Sequence, residues 1–337
     1  MLNLEDYDYH LPQNLIAQEP ARPRDSARLL VYKLSDKSIT DDYFYNLNKY
    51  LKADSALVVN STKVKKARLK FNKVEIFIIK QLNEFEIWAL VFPGKKFRAG
   101  ISLKLSDDIE VEVLGVNELG HRHLKFSKSL NSKQFDKFKR TPLPPYIKED
   151  ESLSDEYQTV FSDKEENSLA APTAGLHFTQ KLINELKLNH QFIKVDLTVG
   201  LGTFSPINNQ NIESKRLHPE TWQISKSALN ALKNSKHITA VGTTSVRTLE
   251  SSGAEFKLSG GDTELFIQPG YKFNNVDSLI TNFHLPKTSL LMLVASFIAD
   301  KLSLSEPEAR AELLKIYSHA IKNEYHFFSF GDAMMIV

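Results

Sequence analysis

Residues Val276 to Asp300, VDSLITNFHLPKTSLLMLVASFIAD, decide the fold class. An apolar run at Val276, Leu279 and Ile280 stops at Thr281-Asn282-Phe283-His284-Leu285-Pro286. Thr288 or Ser289 then precedes apolar residues at Leu290, Leu293, Val294, Phe297 and Ile298. This order predicts strand, loop and capped helix, the unit of an α/β fold. Pro286 biases Leu285 away from helical backbone, which holds the loop open with Asn282 and His284 on it, beside the positive end of a helix dipole. By itself the stretch reads equally as a buried crossover with a hydrogen-bonded histidine and as an active-site loop.

The remaining composition narrows the classes. A chain of 337 residues suggests two domains, and 42% hydrophobic with 25% charged residues is the texture of an ordinary globular protein. There is no cysteine, which excludes disulfides, thiolate nucleophiles and Cys-ligated metal. No apolar stretch approaches the ~20 residues a membrane span needs, and MLNLEDYDYH lacks the pattern of a secretory signal; no membrane association and a cytoplasmic location are the expectation. A formal charge of +2 does not announce a nucleic-acid binder, so any such site must be a local patch.

Along the chain, Leu11 to Gln18 predicts a short helix, followed by Arg22, Arg24 and Arg28 among prolines and then a strand at Leu29 to Tyr32. A buried strand, Ala56 to Val59, ends in Asn60-Ser61-Thr62-Lys63 and runs on to Lys65, Lys66 and Arg68. Cations and hydroxyls at a strand's carboxyl end suit an anionic ligand, although GxGxxG and the Walker pattern are both missing.

From Leu69 to about Tyr146 the texture changes. Lys73–Lys80, Glu84–Phe92, Ile101–Leu105, Ile109–Val116 and His121–Phe126 alternate in the manner of short antiparallel strands, and predict a small inserted barrel or curled sheet. The expected division is residues 1–68 with 147–337 for the core and 69–146 for the insert. Lys95, Lys96, Arg98, Lys128, Lys133, Lys137, Lys139 and Arg140 flank these strands with Phe97, Phe135 and Phe138 interleaved. That mixture suits RNA, and by itself fits a solvated surface better.

After the linker Pro142-Leu143-Pro144-Pro145-Tyr146 come a small-residue loop around His177 (Ala170 to Thr179) and an alternating strand ending in Gly200-Leu201-Gly202-Thr203-Phe204. Two glycines at a strand end permit a tight turn and expose backbone N–H groups, as a nucleotide site requires; the same spacing makes plain hairpin turns. The strand His237 to Val241 leads through Gly242-Thr243-Thr244-Ser245 into a helix carrying Arg247. Those first-turn hydroxyls and that guanidinium suit an anion and serve equally as a plain helix cap. A helix from Pro307 to Asn323 precedes the final Tyr325 to Met334.

AAPTAGLHF (Ala170–Phe178), VGTTSVR (Val241–Arg247), Pro269-Gly270 with Val276-Asp277, TNFHLP (Thr281–Pro286) and FSFGDAM (Phe328–Met334) together resemble the S-adenosylmethionine:tRNA ribosyltransferase-isomerase family of queuosine biosynthesis. So do Leu15-Ile16-Ala17 with Arg28-Leu29-Leu30, Asn60 to Leu69, PLPPYI at Pro142–Ile147 and Tyr157-Gln158-Thr159-Val160. The resemblance implies a distorted α/β-barrel core with an inserted small antiparallel β-barrel. It also implies an activity in which the ribose of S-adenosylmethionine is moved and isomerised onto 7-aminomethyl-7-deazaguanine at the tRNA wobble position, releasing adenine and methionine. S-adenosylmethionine is then a co-substrate, with no permanently bound cofactor, no metal and a monomeric chain expected. An S-adenosylmethionine-dependent RNA methyltransferase and a non-catalytic tRNA-binding protein are the rival readings.

The chain departs from the family pattern at Lys63 and His326, where arginines are usual, at Thr198, where a histidine is usual, and at Phe330, where a tyrosine is usual. Within the resemblance, His177, His284 and Asp332 are the candidate acid–base groups, expected to converge on one pocket. Gly200, Gly202, Thr203 and Phe204 are expected to take the adenosine. Thr243, Thr244 and Arg247 would hold either the methionine carboxylate or a phosphate. Lys63, Arg68, Lys137, Lys139 and Arg140 are the candidate RNA contacts.

Overall fold

The computed structural model describes residues 3–148, 150–163, 166–200 and 207–337. It divides into two compact units, Met1–Lys63 with Pro145–Lys148 and Asp155–Val337, and Val64–Pro144 with Glu149–Ser154.

The larger unit is built on a nine-stranded mixed sheet. Its order is Gly260–Leu265, Arg216–Gln223, Gln191–Leu197, Ala56–Asn60, Ile238–Val241, Ser278–Asn282, Ala333–Ile336, Arg28–Tyr32 and Ile39–Tyr43. Four neighbours, from Gln191–Leu197 to Ser278–Asn282, run parallel. Their residues alternate between two apolar clusters: Ala56 and Val58 face one side, Leu57 and Val59 the other. Leu279 and Ile280 divide the same way, as a strand buried on both faces must. The order has two ends, and among the described residues no ladder joins Gly260–Leu265 to Ile39–Tyr43.

The helix after the TNFHLP loop spans Ser289–Leu302, and Thr288 caps it by accepting the Leu291 N–H. Every residue from Leu291 to Ile298 is buried, so this helix lies inside the larger core. Helix Glu306–Lys322 packs beside it. The helix expected over Leu11 to Gln18 is only a 3₁₀ turn at Gln13–Leu15, because Ile16 turns extended and bridges to Phe327.

The smaller unit is a seven-stranded antiparallel sheet in the order Lys139–Arg140, Arg68–Phe71, Val74–Gln81, Glu86–Phe92, Arg122–Phe126, Glu110–Val116 and Ser102–Lys104. Five of these strands match the alternating runs of the sequence. Phe97 and Phe135 are fully buried in its core with Phe71, Ile87 and Val111. Those two aromatics hold the sheet together, so they are not available to stack on bases.

No helix among the described residues is long and apolar enough to cross a membrane.

Candidate active site

Four parallel strands ending at one edge place Asn60, Val199, Gly242 and Asn282 together, the edge where α/β sheets bind ligands. Ala333–Ile336 runs antiparallel to Ser278–Asn282 with Ala333 opposite Asn282, so it begins at this same edge, as does Arg28–Tyr32. The motifs around His177, Thr243, His284 and Asp332 therefore meet here although they are scattered in sequence.

Asn282 joins three of them. Its Nδ2 donates to the Phe328 carbonyl at 3.0 Å and lies 3.2 Å from His177 Nε2, while its Oδ1 accepts the Thr173 hydroxyl at 3.1 Å. Phe328 has φ of 73°, a left-handed backbone that turns its carbonyl out to be taken. His177 ends a 3₁₀ turn, Thr173–His177, and is buried with its ring 5.1 Å from that of Phe44. Burial, with the positive charge of Arg24 adding to it, pushes its imidazole down to about 4, so the ring is neutral at pH 7.

His284 belongs to the other side of the strand end. Its Nε2 is 2.9 Å from Thr281 Oγ1, its N–H donates to the Tyr317 hydroxyl at 3.0 Å, and its carbonyl accepts from Tyr9. Burial pushes it down to about 3. Thr281 and Asn282 point to opposite faces of the strand. His284 consequently packs with Tyr317 and the larger core, and His177 with Phe44 and the smaller one. No hydrogen bond or ring contact joins the two imidazoles among the described residues.

Asp332 is buried. Its Oδ1 accepts the Arg28 N–H and its Oδ2 the His326 N–H, each at 2.7 Å. Burial raises its pKa, opposed by those two backbone donors. It clasps the Tyr325–Asp332 turn to the start of strand Arg28–Tyr32. Inside that turn Ser329 Oγ is 2.8 Å from the Tyr146 hydroxyl, and Tyr157 also bonds to Ser329. Burial raises both tyrosines. Tyr146, Tyr157, Ser329, Thr173 and Asn282 all stood inside the quoted motifs, yet only their convergence marks them.

Arg247 lies in the helix Thr243–Ser251 and is buried. Its Nη1 donates to buried Glu220 and its Nε to the Leu265 carbonyl at 3.2 Å, while Glu220 Oε1 accepts the Gly200 N–H at 3.1 Å. Arg247 Nη2 and Thr244 Oγ1 are buried with no hydrogen-bond partner among the described residues. A carboxylate would satisfy both donors. A Cβ on Gly242 (φ of 86°) would lie 3.4 Å from Ala174, so the start of this helix touches the His177 loop. Gly202, Thr203 and Phe204 lie outside the described residues.

The cations expected to hold RNA are largely paired. Lys63 meets Glu166 at 3.1 Å and Arg68 meets Glu75 at 3.0 Å. In the smaller unit Lys139 meets Asp136 at 3.1 Å, and Arg140 pairs with Glu151. Lys137 instead lies 4.9 Å from the Phe138 ring.

Fold and site define a mixed α/β protein whose larger unit gathers its motifs at the carboxyl ends of the parallel strands. Residues 4–336 match the family model described as queuosine biosynthesis protein. The S-adenosylmethionine:tRNA ribosyltransferase-isomerase of Carboxydothermus hydrogenoformans is 43% identical, with both chains covered completely. That of Fusobacterium nucleatum is 42% identical, covering 99% of this chain and 96% of its own. A crystal structure of S-adenosylmethionine tRNA ribosyltransferase from Thermotoga maritima covers 98% of this chain and 100% of its own, at 35% identity and a TM-score of 0.55. The chain belongs to the queuosine biosynthesis protein family.

Proposed function

We propose that this chain is an S-adenosylmethionine:tRNA ribosyltransferase-isomerase, a transferase. It moves and isomerises the ribosyl group of S-adenosylmethionine onto 7-aminomethyl-7-deazaguanine at the tRNA wobble position and releases adenine and methionine. The observation that carries this is end-to-end relatedness to proteins of that name at 42–43% identity.

The donor's sulfonium acidifies its 5′ carbon. A base removes a proton from that carbon, adenine leaves as its bond to C1′ breaks, the amine of the modified base attacks the ribosyl carbons, and methionine departs with the electron pair of the broken C5′–S bond. Thr243, Thr244 and Arg247 hold the methionine carboxylate, a role supported by the unpartnered Thr244 hydroxyl and Arg247 Nη2. Gly200 with Gly202, Thr203 and Phe204 takes the adenosine. His177 faces the reacting ribose, with His284 and Asp332 as the further acid–base candidates of the same site. Lys63, Arg68, Lys137, Lys139 and Arg140 contribute to tRNA binding. A monomer in the cytoplasm, with barrel geometry in core and insert, completes the reading.

The test is incubation with S-adenosylmethionine and tRNA carrying the modified base, followed by chromatography of the small products. Adenine and methionine in equal amounts are expected. S-adenosylhomocysteine would make the protein a methyltransferase, and no turnover would make it a binding protein.

A further inference from the structure

Asn282 determines which nitrogen of His177 carries the proton. The Phe328 carbonyl, 3.0 Å from the Asn282 amide, can only accept, so the atom facing it must be Nδ2. The other end, Oδ1, is occupied by the Thr173 hydroxyl at 3.1 Å, which fixes the amide from both sides. The second N–H of Nδ2 then points at His177 Nε2, 3.2 Å away. An amide nitrogen accepts nothing, so Nε2 must present its lone pair, and in the neutral ring the proton sits on Nδ1. Protonating Nε2 would set N–H against N–H in a buried site. The charged group facing the ring is Arg24, and the packed ring is that of Phe44; neither stabilises an imidazolium there.

We propose that His177 acts as a neutral hydrogen-bond donor through Nδ1–H, toward an acceptor nitrogen or oxygen of the bound nucleoside, and that Asn282 is the positioning residue that fixes this tautomer. The lone pair a base would need is already engaged by Asn282, whereas Nδ1 has no hydrogen-bond partner among the described residues. The donor role rests on the function proposed above. The tautomer does not.

The test reads the ring nitrogens of His177 directly, by long-range proton–nitrogen correlation on ¹⁵N-labelled, deuterated protein, with the ring assigned through its own backbone resonances. A protonated Nδ1 and bare Nε2, unchanged from about pH 5.5 to 8, is the expected result. A proton on Nε2, or titration within that range, would overturn the proposal. In Asn282→Asp a carboxylate replaces the amide donor, and the His177 proton is expected to move to Nε2; a spectrum unchanged in a folded Asn282→Asp protein would remove Asn282 from its role. For the donor role, His177→Ala should lower kcat/KM about 10²–10³-fold. His177→Gln, which keeps an N–H, should retain at least about tenfold more activity than His177→Ala. Equal losses in the two variants would overturn the donor role. If the wild-type protein releases no adenine, the proposed function fails while the spectrum still decides the tautomer.

Discussion

Arg247 and Glu220 form an ion pair in which both residues are buried, 8% and 6% exposed, and which ties the helix Thr243–Ser251 to the strand Arg216–Gln223. Removing Arg247 takes the counter-charge and the Nη1 donor from the buried Glu220 carboxylate. Arg247→Ala should therefore cost about 3–5 kcal/mol of stability, read from the shift of the urea midpoint. A loss below about 1 kcal/mol would mean that water reaches the pair.

The buried histidines make folding sensitive to acid. Burial holds His177 and His284 at about 4 and about 3, below the ordinary 6.5. Between these values and 6.5 the unfolded chain binds protons that the folded chain refuses. The stabilisation is thus complete above pH 6.5 and is lost as pH falls toward 4. At ~1.4 kcal/mol per unit and site, the loss is on the order of several kcal/mol. Urea midpoints at pH 7, 6 and 5 should drop in the wild type and drop less in a His177→Gln, His284→Gln double variant. Parallel profiles would show that these rings do not carry the effect.

Asp332→Asn replaces one acceptor oxygen with an amide NH2 donor that must face a backbone N–H. It should cost about 1–3 kcal/mol and speed hydrogen exchange at the amides of Arg28 and His326. Gly331→Ala attacks the same turn by sterics, since its Cβ would lie 2.5 Å from the His326 carbonyl oxygen. Unchanged exchange in both variants would mean that the turn is held elsewhere.

In the smaller unit, Lys139 and Arg140 are paired with carboxylates, and among the described residues Lys137 is not. Lys137→Ala should lower the slope of log Kd for tRNA against log salt by about 0.7–0.9, and adding Lys139→Ala and Arg140→Ala should change it by less than twice as much again. Equal contributions from all three would show that tRNA displaces the carboxylates.

Much of this architecture was legible because local patterns and tertiary demands agree. The apolar run stopping at Thr281, and Thr288 ahead of an apolar helix, sufficed for the central unit, and alternation sufficed for five strands of the insert. Arg68–Phe71 and Lys139–Arg140 were missed because they are short and basic. Phe97 and Phe135 resembled stacking residues because their turns are lined with lysines, yet the backbone aims them inward. Nothing local announces that Glu220, in the polar-looking strand RLHPETWQ, reaches Arg247. Nor does spacing show that Asn282 faces His177 while its neighbour Thr281 faces His284. The Asn282–His177 pairing belongs to the sheet, which brings together residues 105 positions apart.

The central claim is that the ribose of S-adenosylmethionine, and not its methyl group, reaches tRNA. Two preparations of the donor, one labelled with ¹⁴C in the ribose and one in the methyl group, test it when each is incubated with the protein and tRNA carrying 7-aminomethyl-7-deazaguanine. Label from the ribose should become acid-precipitable with the tRNA in proportion to free adenine, and methyl label should leave with methionine. Methyl label in the tRNA, or ribose label in neither tRNA nor any product other than intact donor, would contradict the account.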